Sequence, residues 1–97
     1  MGKLKVGDKT YGLEMFSHPS EVEGKMQSTF LVTDIECLEF LQKMLRTQKI
    51  KKFKAKGKRG TIKGTFQVKA IYGNRVCIVR FYKYEYKQKT LDGYSGN

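Results

Sequence analysis

The sequence predicts an α+β fold: a mainly antiparallel sheet of five or six strands with one helix packed on one face, in the chain order ββ-β-α-β-ββ. Three observations predict it. Apolar residues recur at helical spacing in a single segment, as Ile35, Leu38, Leu41 and Leu45 with Met44 alongside. Elsewhere side chains alternate in character, as Phe66, Val68 and Ala70 do against Lys63, Thr65, Gln67 and Lys69. Two dipeptides suited to positive φ, Gly7-Asp8 and Gly73-Asn74, join such runs as hairpin turns. With 97 residues, 39% of them hydrophobic, the chain has material for one core, so 1–97 reads as one compact domain whose small polar tail, 88–97, is expected to fray.

In order along the chain, Leu4 to Val6 and Lys9 to Phe16 form the first hairpin about Gly7-Asp8. Ser17 to Gly24 has no apolar period and holds the only His and the only Pro, which predicts a loop. Lys25 to Val32 alternates Met26, Ser28, Phe30 and Val32 against Gln27, Thr29 and Leu31, and makes a third strand. Thr33 followed by Glu36 matches a capping box, in which two side chains satisfy the donors left open at a helix start. The helix then runs to about Thr47, with Asp34, Glu36 and Glu39 near its beginning and Lys43, Arg46 and Lys49 near its end, in accord with the macrodipole. A strand from Ile50 to Ala55, a turn from Lys56 to Gly60 and a long hairpin of Thr61 to Tyr72 with Arg75 to Lys87 complete the chain. Cys37 and Cys77 fall at apolar positions without metal-ligand spacing and read as buried free thiols of a reducing, cytoplasmic setting, with a nuclear address left open as the second choice. No apolar run is long enough to span a bilayer, which predicts a soluble protein without a membrane partner.

The charge is concentrated. Between Phe40 and Tyr84 there is no Asp or Glu, yet fourteen Lys and Arg fall there, and this stretch carries the whole excess behind the net charge of +11. A field this lopsided repels itself, so the composition points to a polyanionic partner, DNA or RNA first.

The second hairpin gives that charge a surface. With Gly73 and Asn74 as the two loop residues, Tyr72 is expected opposite Arg75, Ala70 opposite Cys77, Val68 opposite Val79 and Phe66 opposite Phe81. One face is then apolar, and the other gathers Lys63, Lys69, Arg80, Tyr82, Tyr84 and Tyr86. Aromatic rings interleaved with bases suit a nucleic-acid strand, because rings stack on bases while cations neutralise phosphates. The expected site therefore divides in two: Lys52, Lys54, Lys56, Lys58, Arg59 and Lys63 hold the phosphate backbone, and Lys69, Arg80, Tyr82 and Tyr84 contact bases or sugars. The competing reading has the tyrosines covering a half-buried second face.

Gly57-Lys58-Arg59-Gly60 offers backbone amides and two bases to a phosphate, as the GxxG loop of KH domains does. That loop joins two helices whereas strands flank this one, so the segment reads as a basic β-turn. Nothing in the sequence assembles a metal cluster, a cofactor motif or a His-based catalytic set; His18 stands by itself in an acidic loop. In composition and size the chain resembles RelE-type ribonuclease toxins, and that resemblance implies a catalytic set drawn from Lys54, Lys56, Arg59, Arg80 and Tyr82. Three functions are thus open: a non-enzymatic nucleic-acid-binding module, favoured by the charge; a small inhibitor or adaptor that lays the same surface on an acidic protein; and a RelE-like ribonuclease.

Overall fold

Alternation and turn chemistry decide the strands. A computed structural model describes residues 2–88. In β1 (Gly2–Val6) and β2 (Lys9–Leu13), buried Leu4 and Leu13 alternate with exposed neighbours, and Gly7 takes a φ of 62° in the turn between them. Next come β3 (Met15–Phe16), β4 (Ser20–Val22) and β5 (Lys25–Leu31), with Glu23 and Gly24 turning β4 into β5 at positive φ. Helix α1 (Ile35–Thr47) is followed by β6 (Lys51–Gly57), β7 (Gly60–Tyr72) and β8 (Val76–Gln88). The described residues thus form eight strands, not five or six. Glu14 interrupts the expected Lys9–Phe16 strand, and Ser20–Val22 pairs with β5 where a loop is expected. The expected frayed tail lies outside the described residues, apart from Gln88, which ends β8.

All pairings are antiparallel, in the order β2-β1-β6-β7-β8-β5-β3 with β4 also on β5. The end strands β2 and β3 are separated only by Glu14, so the sheet must curl until its ends approach one another. At that corner the Glu14 amide donates to the Leu31 carbonyl at 3.0 Å, and its carboxylate pairs with Arg75 at 3.2 Å. The inside of the curl is the core, built around Phe30, Phe53, Phe66 and Phe81, with the Phe53 and Phe81 rings stacked at 5.4 Å.

Helix α1 adds Cys37, Leu41 and Met44 to this core, and Phe40 stacks on Tyr11 of β2 at 4.9 Å. Its apolar stripe is rotated from the expected one: Ile35 is 68% exposed and Leu38 and Leu45 are only partly buried. The capping box does not form either. Asp34 is the N-cap and its side chain makes no cap bond; Oδ2 accepts from the Gly12 amide of β2 at 3.3 Å instead, tying the helix start to the sheet. At the other end Gln48 takes φ 55° and its amide donates to the Met44 carbonyl.

The β7–β8 hairpin keeps the expected turn but shifts its ladder twice. The Arg75 amide donates to the Tyr72 carbonyl at 3.1 Å across Gly73-Asn74, as a two-residue turn requires. Arg75 then leaves the ladder, giving its carbonyl to Val32, so Tyr72 faces Val76 and Ala70 faces Ile78. An extra residue in β7, Lys69, restores the expected pairs Val68–Val79 and Phe66–Phe81, and a second bulge at Tyr82-Lys83 offsets the register again. Because side chains alternate, that second bulge moves Tyr84 opposite Gly64 and Tyr86 opposite Ile62, on the parity of the core. The expected grouping of Tyr84 and Tyr86 with Tyr82 is therefore corrected.

Cys37 and Cys77 are free and fully buried, as expected. Burial pushes each thiol up to about 12. Both should be silent to a thiol reagent at pH 8 in the native protein and react once it is unfolded, a difference that a colorimetric thiol titration reads directly. The raised values also fix a sign: the contribution of the neutral thiols to stability is complete below the ordinary thiol value of 9.0 and is lost as pH rises toward 12.

Candidate nucleic-acid interface

The outward face of β1, β6, β7 and β8 is a lattice of lysines. Strand alternation sends Lys52, Lys54 and Lys56 outward from β6 because Phe53 and Ala55 point into the core. Pairing then sets bases beside bases: Lys3 faces Lys56, while Lys5 faces Lys54, which in turn faces Lys63 on β7. Thr61 separates Lys56 from Lys87, and Thr65 lies between Lys52 and the bulged Lys83, whose amide donates to the Thr65 hydroxyl at 3.2 Å. The acid on this face is Glu85, opposite Lys63 with 3.6 Å between the charged atoms. Like charges directly opposite one another on a sheet are destabilising, by a few tenths to about 1 kcal/mol per pair.

Two shallow depressions mark the surface. One, of about 490 Å³, surrounds Gly64 and is bordered by Lys52, Phe53, Lys63, Thr65, Lys83, Tyr84 and Glu85. The other, of about 280 Å³, is lined by Lys54, Lys56, Thr61, Lys63, Glu85 and Lys87. Both offer lysine ammonium groups beside Thr side chains and the Glu85 carboxylate, the larger one with Phe53 and Tyr84 in its lining, and the cationic groups suit a phosphate chain.

Of the residues expected from sequence, Lys52, Lys54, Lys56 and Lys63 come together here. Lys58 and Arg59 form the two-residue tip of the β6–β7 hairpin, beside Glu14, Met15 and Phe16. Lys69 does not join the cluster: it sits in the β7 bulge, six residues from Lys63, roughly 20 Å along the strand. Tyr84 is 38% exposed, but its ring lies 5.5 Å from that of Phe81 and it only borders the larger depression.

Arg80 and Tyr82 belong to a polar network at the helix end. Arg80 faces Gln67 on one side and Gln27 on the other. The Tyr82 hydroxyl donates to Gln67 Oε1 at 2.7 Å, Gln67 Nε2 donates to the Gln48 carbonyl at 2.9 Å, and the Arg80 guanidinium covers the Tyr82 ring at 4.4 Å. Arg80 Nε is buried without a hydrogen-bond partner among the described residues. This network ties β8 and β7 to the C-terminus of α1. Tyr82→Phe should accordingly lower stability by about 0.5–1.5 kcal/mol while leaving nucleic-acid affinity unchanged, with a urea melt and a binding titration as the paired measurements.

Sequence reasoning missed Lys3, Lys5, Lys83 and Lys87. Lys3 and Lys5 lie in the N-terminal part, where acids outnumber bases, and only the long-range β1–β6 pairing carries them into the patch. Their spacing in an alternating strand was the available signal, since it puts both on one face. Among the described residues, no group of three or more His, Cys, Asp and Glu is placed to hold a metal ion, and no helix is long and apolar enough to cross a membrane. Comparison with protein-family models, with curated proteins and with solved structures returns no match.

Proposed function

We propose that the protein is a small non-enzymatic nucleic-acid-binding module whose lysine face neutralises the phosphate backbone. One observation carries the reading: lysines stand directly opposite lysines in adjacent rows across β1, β6 and β7, relieved among the described residues by Glu85. Such an arrangement works against the free fold and is compensated when a polyanion lies over it. An acidic protein surface would meet the same charge, but tight protein interfaces centre on desolvated aromatic or Arg anchors. Here Arg80 and Tyr82 are engaged with Gln67 and the helix end, and the rows between β1 and β8 present Lys and Thr.

The test is a binding titration with nucleic acid over a series of salt concentrations. The proposal expects log K to fall linearly with log salt, by about 0.7 to 0.9 per phosphate neutralised, and the protein to co-purify with nucleic acid until high salt strips it. Recovery of one stoichiometric protein partner from nuclease-treated lysate at 0.5 M salt, with no measurable nucleic-acid affinity, contradicts it.

A further inference from the structure

Resting on that reading, we infer that the lysine face takes double-helical DNA through the phosphates bordering its minor groove, without reading sequence. Width is the first argument. The face runs across four neighbouring strands, β1-β6-β7-β8. At the usual strand spacing this places its margins, Lys3 and Lys5 on β1 and Lys83 and Lys87 flanking Glu85 on β8, about 14 Å apart along the curled sheet and somewhat less in a straight line. The minor groove of B-form DNA is about 6 Å wide between phosphate surfaces, which puts the phosphate centres on its two sides roughly 12 Å apart. One margin of lysines then serves each strand of the duplex. A single extended strand meets one row and leaves the other margin uncompensated.

The face is also poorly equipped for other modes of binding. Single strands are held on aromatic platforms. Tyr82 and Tyr84 keep 40% and 38% exposure, but the bulge at Tyr82-Lys83 turns Tyr84 to the parity of the core against Phe81, and Arg80 covers one side of the Tyr82 ring while Gln67 takes its hydroxyl, so the two rings do not share one stacking surface. Base edges in the major groove are read mainly by Arg, Asn and Gln in bidentate contacts. The paired rows of this face hold Lys, Thr and one Glu, which are suited to point contacts with phosphates.

Fluorescence anisotropy at one fixed salt concentration decides the matter, using 20-bp DNA duplexes of several sequences, the corresponding single strands and a duplex RNA. Duplex DNA is expected to bind at least tenfold tighter than single strands or duplex RNA, to vary less than threefold with sequence, and to be displaced by a small minor-groove ligand. Tyr84→Ala should leave these ratios unchanged. Equal or tighter binding of single strands or duplex RNA, a tenfold dependence on sequence, or indifference to the minor-groove ligand overturns the inference while leaving nucleic-acid binding intact. Failure of every probe to bind rejects the proposed function with it.

Discussion

Replacing Lys3, Lys5, Lys54 and Lys56 together by Gln is expected to weaken nucleic-acid binding by about a hundredfold or more at physiological salt and to lower the salt slope by about 3. The same change should stabilise the free protein. It removes the opposed pairs Lys3–Lys56 and Lys5–Lys54 and leaves Lys63 beside Glu85 without its cationic neighbour. Relief of these three opposed pairs amounts to about 1–2 kcal/mol, or several degrees in Tm for a domain of this size. The opposite signs are the informative part, because a variant that merely damages the fold loses both affinity and stability. Thermal melts and binding titrations on the same preparation read the two effects.

Gly64→Ala should be strongly destabilising. Gly64 has φ 153° and lies where β8 bulges, so a Cβ there would overlap the Lys83 carbonyl oxygen and crowd the Tyr84 Cα. Backbone cannot swing aside as a flexible side chain can, and the bulge or the β7 strand must move. A loss of about 2–4 kcal/mol is expected, the range of substitutions that force strain into a fixed backbone. Gly73→Ala is the control: φ is 60° there but a Cβ would meet nothing within 4 Å, so only the left-handed backbone penalty of about 1–2 kcal/mol applies. Urea denaturation of both variants gives the comparison, and equal losses would mean that the bulge does not depend on Gly64.

The sequence made the local structure legible because local periodicity carries it. The helix ends at Thr47 as its period predicts, and Phe66, Val68 and Val79 face the core as their alternation predicts. What it concealed depends on contacts between distant segments. Nothing near Thr33 signals that Asp34 will bond to Gly12 in β2, a contact that ties the helix start to the sheet. Nothing near Lys69 or Lys83 announces an unpaired residue, yet those two bulges decide which tyrosines face outward. The candidate site shows the same division. The acid-free stretch revealed the β6 lysines, whereas Lys3 and Lys5 enter the patch only through pairing with a strand about fifty residues away.

Lysine acylation read by mass spectrometry with and without duplex DNA tests most directly whether phosphate binds on the face of β1, β6, β7 and β8. The exposed lysines elsewhere, Lys9 at the start of β2, Lys43 on α1 and Lys69 in the β7 bulge, serve as controls within the same molecule. Lys3, Lys5, Lys54, Lys56 and Lys63 are expected to become protected from modification while the three controls do not. Protection spread evenly over all of these lysines, or confined to the controls, would contradict it.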